Sequence, residues 1–128
     1  MAERDAVRTK GAPDPTGPFS QGILAGGLVF TSGQAGRNRD TGQMGDARDQ
    51  VRWALRNIAA ILEAAGSSLD RVVKVTLYLK EGVDPSAVNE EYKSHFSDPP
   101  PARSSVFVSR LKGPDMLVEI EAVATLDR

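Results

Sequence analysis

Between Met116 and Leu126 the even-numbered positions Val118, Ile120, Ala122 and Ala124 are all apolar, and Glu119 and Glu121 stand between them. Side chains of a strand point alternately to two faces, so this run fits a strand with one face against a core. Slipping its pairing by one residue would bury both glutamates. A sheet with one dry face needs something laid over it, and the chain supplies two amphipathic helices. From Asp46 to Ala65, the residues Val51, Ala54, Leu55, Ile58, Ile61, Leu62 and Ala65 recur at steps of three and four and make one apolar stripe. Asp46 is a suitable N-cap and Gly66 a suitable stop. Trp53 lies off the stripe and reads as cover for a helix edge or an interface. Asp84-Pro85 opens a second helix, a cap followed by proline in the first turn. Its apolar positions Val88, Tyr92 and Phe96 are spaced by four, and it ends before Pro99-Pro100-Pro101.

The remaining segments read as strands and loops. Val7 to Thr9 suits a short edge strand, and Gly11 to Pro18 is too rich in glycine and proline for anything but a loop. Gly26-Gly27 joins Ile23-Leu24-Ala25 to Leu28-Val29-Phe30-Thr31-Ser32 as a hairpin, two glycines supplying the positive φ angles of a two-residue turn. Residues 33–45 are polar and loop-like. In Arg71 to Lys80, Val73, Val75, Leu77 and Leu79 alternate with Lys74, Thr76, Tyr78 and Lys80, the pattern of a half-buried strand. Arg103 to Arg110 and Met116 to Leu126 read as a second hairpin around Lys112-Gly113-Pro114-Asp115. At 128 residues the chain suits one domain over 1–128. The expected architecture is α+β, a mainly antiparallel sheet of five to six strands with two helices packed on one face.

The expected terminal hairpin can be phased. Burying Val106 and Val108 together with Val118, Ile120, Ala122 and Ala124 pairs even positions with even ones. The other face then displays Arg103, Ser105 and Phe107 beside Leu117, Glu119, Glu121 and Val123. Arg103 and Glu119 should share that face, at a separation of about 13 Å, too far for a direct salt bridge. Either something lies between them or a neighbouring subunit contributes one of the pair. A face half apolar and half charged suits a subunit interface, although an ordinary wet face with stray apolar residues also fits.

Composition narrows the chemistry. With 16 basic and 17 acidic residues the net charge is -1, which argues against duplex nucleic acid as the main partner. Arg48, Arg52 and Arg56 form a helix stripe that reads as a solvated face. There are no cysteines, which removes disulfides, thiolate metal sites and a cysteine nucleophile. Met1 to Lys10 is charged and holds no apolar run, so no targeting signal is read and a cytoplasmic location is expected. No stretch is apolar for long enough to span a bilayer as a helix. Neither a lysine-terminated phosphate loop nor a GxGxxG fingerprint is present. The single histidine, His95, reads as a surface or capping residue, and one histidine without cysteine is a poor start for zinc. No Gly-x-Ser-x-Gly elbow supports a serine nucleophile.

What remains is Arg103, Glu119 and a supply of hydroxyls and glycines. Pro101-Ala102 stiffens the entry to the strand that carries Arg103, and its guanidinium offers a planar fork matched to a carboxylate. A surface arginine is the plainer reading. Glu119 could position or deprotonate a water if partly desolvated, or be an exposed strand carboxylate. Thr31-Ser32-Gly33 ends a strand where backbone can approach a ligand closely, and a plain strand-to-loop turn fits as well.

Several separated segments resemble those of the RidA/YjgF family. They are Gly17-Pro18-Phe19-Ser20-Gln21-Gly22, Phe30-Thr31-Ser32-Gly33-Gln34, Val88-Asn89 with Tyr92, Pro101-Ala102-Arg103-Ser104-Ser105-Val106, Arg110-Leu111, and Val118-Glu119-Ile120-Glu121-Ala122. They follow the family's order over nearly the whole chain. The resemblance implies a chorismate-mutase-like fold, a homotrimer with clefts between subunits, and hydrolysis of 2-imino or 2-enamino acids to 2-oxo acids and ammonia. It implies no metal and no cofactor. By the same resemblance Arg103 binds the substrate carboxylate and Glu119 orients the attacking water. Ser32, Gly33 and Ser105 would line the pocket, Asn89 would lie near its entrance, and Phe19 would close over the ligand. The chain departs from the family where Phe19 replaces a frequent tyrosine and Ser105 a frequent cysteine, which bears on substrate preference. Alternatives are a non-catalytic trimer binding 2-oxo acids, an endoribonuclease-type translation inhibitor, and a chaperone-like holdase.

Overall fold

The computed structural model describes residues 3–126, and the outermost residues of the expected 1–128 domain lie outside the described residues. The strands are β1 (Asp5–Val7), β2 (Gly22–Ala25), β3 (Leu28–Thr31), β4 (Gln34–Ala35), β5 (Val72–Lys80), β6 (Ala102–Val108) and β7 (Val118–Thr125), and the helices are α1 (Ala47–Ala64) and α2 (Pro85–Lys93). The strands form one seven-stranded sheet in the order β1-β2-β3-β7-β5-β6, with β4 pairing beside β3 on β7. The α+β architecture with two helices on one face is as expected. The short β4, inside a segment read as loop, adds a strand. No helix among the described residues is long and apolar enough to cross a membrane.

Both helices start where their caps are. Asp46 accepts from the Asp49 amide at 3.0 Å and the Asp49 carboxylate accepts from the Asp46 amide at 3.3 Å, a reciprocal capping box. Asp84 accepts from the Ser86 amide at 2.9 Å, with Pro85 at the first helical position. The α1 stripe is fully buried at Val51, Ala54, Leu55, Ile58, Ile61 and Leu62. All of it but Ile61 packs with Val75, Leu77, Val118, Ile120 and Ala124 in one core cluster, and Ile61 packs with Val7 and Ala12 in a second. The hairpin turn also stands, Gly26 at φ 58° and Gly27 at φ 77°. Its flanks pair antiparallel, Ile23 with Phe30 and Leu24 with Val29.

Three expectations need correction. The short first strand is Asp5–Val7, pairing with β2, not Val7 to Thr9. Val73 is not on the buried face: a bulge between Val72 and Lys74 makes it the extra residue, so it is exposed and Val72 is buried in its place.

The third correction concerns the terminal hairpin. β6 and β7 are not neighbours. β6 lies parallel to β5, with Val75 opposite Arg103 and Leu77 opposite Ser105. β7 pairs antiparallel with β5 on one side and with β3 and β4 on the other. The cause is the strand–helix–strand order of β5, α2 and β6: a crossover through a helix returns the chain parallel to the strand it left. It sets β6 at the sheet edge, where Val106 is 45% exposed instead of buried.

Candidate functional site

The register decides which face each candidate occupies. Glu119 is the partner of Tyr78 on β5 and of Ala35 on β4. It points to the face opposite its buried neighbours Val118 and Ile120. This open face also carries Glu121, Val123, Phe30 and Val106, a mixture of charge and apolar surface whose membership differs from expectation by the even residues of β6. Arg103, opposite Val75, belongs to the helix side. Arg103 and Glu119 therefore do not share a face, contrary to the hairpin phasing. Moving β6 from β7 to the far side of β5 reverses the parity relation between the two strands.

Around Glu119 the chain is built for close approach. A Cβ at Gly33 would lie 2.1 Å from Glu119 Oε2, so only glycine leaves the carboxylate its place. Ser32 precedes it, its amide and its hydroxyl both donating to the Gln21 carbonyl, at 2.9 and 3.1 Å. Gln21 is itself buried. Its side-chain nitrogen donates to the carbonyls of Thr9, Ala12 and Pro13, and its side-chain oxygen accepts from the Thr9 amide at 2.7 Å. That one side chain holds the proline-rich loop in place, and the loop presents Phe19 as an exposed ring two residues before Gln21. Burial of the Glu119 carboxyl, reinforced by nearby Glu121, holds it above the usual carboxylate range against the opposing pull of Lys112. The Tyr78 hydroxyl donates to Glu121 Oε1 at 3.1 Å.

Arg103 sits at a second place. Its guanidinium carbon lies 4.8 Å from the centre of the Tyr92 ring, a cation over an aromatic face. Tyr92 is in turn 4.8 Å from Phe96, ring centre to ring centre. These groups, with Asn89, Pro100 and Pro101, line a cavity of about 580 Å³. The Tyr92 hydroxyl is buried without a hydrogen-bond partner among the described residues, and burial keeps it a proton donor by raising its pKa. Ser105 follows on the same side of β6, exposed.

Six of the seven candidate residues thus fall into two groups, Ser32, Gly33 and Glu119 in one and Asn89, Arg103 and Ser105 in the other, while Phe19 stands on the loop that Gln21 holds. Neither Arg103 nor Glu119 takes an ion pair among the described residues.

Residue-level reasoning missed that Tyr92 and Phe96 line the cavity beside Arg103; their spacing by four reads only as a packing stripe. It also missed the buried Gln21 and Gln50; Gln50 ties α1 to the carbonyls of Gly45 and Asp115, both at 2.9 Å. His95, read as a surface or capping residue, has its Nε2 2.8 Å from Glu91, which also meets Arg52 on α1 at 3.1 Å. Trp53 carries the Arg56 guanidinium over its ring at 5.0 Å.

The chain is thus an α+β protein whose sheet has one open face, an exposed edge strand bearing Arg103 and a glutamate set against a glycine. A family model described as Endoribonuclease L-PSP matches residues 9–126. A RutC family protein of Pyrococcus horikoshii is 49% identical over 123 residues, spanning 94% of this chain and 97% of that protein. A 2-iminobutanoate/2-iminopropanoate deaminase of Dermatophagoides farinae is 37% identical, spanning 99% of this chain and all of its own length at 100%. TdcF of Escherichia coli, solved with bound serine, superposes at a TM-score of 0.86 with 38% identity, covering 94% of this chain and 98% of that one. The chain belongs to the RidA/YjgF family, with its chorismate-mutase-like fold.

Proposed function

We propose that the chain is a cytoplasmic hydrolytic deaminase of 2-imino and 2-enamino acids that acts as one domain over 1–128 and assembles as a homotrimer. Arg103 of one subunit and Glu119 of the next line a shared cleft. The observation that carries this reading is the separation itself. An arginine and a glutamate without ion-pair partners among the described residues lie on opposite faces of one sheet, and the arginine stands on an exposed edge strand. A second copy laid against the open face can bring an edge strand to a glutamate, which no rotation within one chain can do. The half-apolar open face, with Phe30 41% exposed, supplies the surface for such a contact. The relatives' names support the reaction type.

In this mechanism the Arg103 fork holds the substrate carboxylate, and Phe19, Ser32, Gly33, Asn89 and Ser105 shape the cleft. Glu119, ionised, accepts a proton as water oxygen bonds to the imine carbon and the C=N π pair moves to nitrogen. Glu119 returns that proton to nitrogen, the adduct's hydroxyl gives up the second as the C–N bond breaks, and ammonia leaves while the oxygen forms the carbonyl of the 2-oxo acid and Glu119 is again ionised. An enamine first tautomerises to the imine. Positioning and electrostatics do the work, without cofactor.

The test couples a serine/threonine dehydratase to the protein and follows imine disappearance. Native protein is expected to accelerate it, and Arg103→Ala to lower kcat/KM by roughly 30- to 5,000-fold, the kinetic equivalent of about 2–5 kcal/mol for a lost charge partner. Equal rates for the two would overturn the role of Arg103. Binding of 2-oxo acids without turnover would identify a metabolite-binding trimer instead.

A further inference from the structure

We propose that the cavity between α2 and the start of β6 receives the substrate's side chain, and that the protein prefers 2-imino acids with branched or aromatic side chains over three- and four-carbon ones. The inference rests on the reading of Arg103 as carboxylate anchor. Four features of the cavity carry it.

The first is size. At about 580 Å³ the space lies within the range that takes drug-sized ligands, and a three-carbon imino acid would leave most of it as water. The second is chemistry. Phe96, partly exposed and backed by the buried Tyr92 ring at 39° to it, forms one aromatic wall, and Pro100 and Pro101 form another. The third is rigidity: the prolines restrict the backbone, so little ordering opposes ligand entry. The fourth is the placement of charge. The Arg103 guanidinium carbon lies 4.8 Å from the Tyr92 ring centre and the group takes no ion pair among the described residues, so its fork is available to a carboxylate. A carboxylate on that fork has its α-carbon substituent beside the Tyr92–Phe96 wall. Lys93 and Asp98, also lining the cavity, are exposed and carry opposite signs, so they impose no net charge on what enters.

Each methylene buried against such a wall strengthens binding roughly fourfold. An isobutyl or benzyl group that lodges there should therefore raise kcat/KM over a methyl group by roughly tenfold or more. The experiment generates imines from alanine, leucine, methionine and phenylalanine with an amino-acid oxidase and measures their hydrolysis by the full-length protein. Phe96→Leu should narrow the leucine-to-alanine and phenylalanine-to-alanine ratios, chiefly through KM. Phe96→Trp, which fills the space, should depress the large substrates while sparing alanine's imine. Circular dichroism and melting of both variants establish that each is folded, and using two variants of opposite volume change guards against one that is not. Equal kcat/KM across the panel, or a preference untouched in both variants, overturns this inference and leaves the deaminase reading standing. Failure to hydrolyse any imine overturns that reading, and this inference with it.

Discussion

β6 and β7 look alike as sequences and behave oppositely as structure. Both carry apolar residues at even positions, Val106 and Val108 in β6 and Val118, Ile120, Ala122 and Ala124 in β7. In β7 the even residues Val118, Ile120 and Ala124 are wholly buried, whereas β6 is exposed at every position up to Phe107. The difference is position in the sheet. β7 is flanked on both sides and lies under α1, while β6 is an edge strand with β5 on one side only. Alternation fixes the phase of a strand and says nothing about its neighbours. A bare edge with apolar side chains invites another chain to pair or pack there, and Arg103 stands on that edge. The glutamate, by contrast, sits on a strand fixed on both sides.

The comparison can be broken at several points. The largest effect is expected in the core. Ile120→Ala should destabilise the fold by about 2–5 kcal/mol. Val106→Ala, half exposed on the edge strand, should stay within about 0.5 kcal/mol for the isolated subunit. Urea titrations under conditions that keep the chain monomeric would measure both, and equal losses would mean that β6 is as well covered as β7.

Next comes the glutamate's seat. Gly33→Ala pushes a Cβ into the Glu119 carboxylate and should lower kcat on the order of a hundredfold, the cost of about 1 Å of misplacement. Its melting temperature should change far less than that of Ile120→Ala. A native kcat in this variant would remove Glu119 from the reaction.

The smallest effect is in pH dependence. Glu119 must be ionised to take a proton, and burial together with Glu121 holds its pKa above the ordinary carboxylate value. Activity should therefore fall, as pH is lowered, at a higher pH than an unperturbed glutamate would give. Glu121→Gln removes the second cause, so the acidic limb of kcat/KM should move to lower pH. The sign for stability is the reverse of that for a salt-bridged carboxylate. A carboxyl with a raised folded-state pKa contributes stability that is present below its unfolded pKa and lost as pH rises through the folded value. Glu119→Gln should accordingly be more stable than native protein near neutrality, and calorimetry at two pH values would check it.

Much of this molecule was legible in its sequence. The α1 stripe with its Asp46 cap, the Gly26-Gly27 turn and the phase of β7 each rest on local physics that tertiary packing did not override. The place of β6 was not, because sequence proximity to β7 suggested a hairpin while α2 between β5 and β6 called for a parallel crossover. The two signals conflict, and the crossover prevails. The Val73 bulge left no trace in the alternation. For the site, Arg103 and Glu119 stand out by elimination and again by family resemblance, but the hairpin phasing that puts them on one face rests on a β6–β7 pairing that the sheet does not make. The Tyr92–Phe96 wall was hidden because residues four apart on a helix line a core and a pocket equally well.

The central claim, that one subunit's Arg103 and another's Glu119 make one site, is tested most directly by mixing. Arg103→Ala and Glu119→Gln proteins, each inactive alone, are unfolded together in equal amounts and refolded. In a cyclic trimer a contact is intact when the glutamine-bearing chain supplies the arginine and the alanine-bearing chain supplies the glutamate, so about one quarter of native imine hydrolysis should return. A refolded mixture that forms trimers yet stays as inactive as its parents would contradict the account.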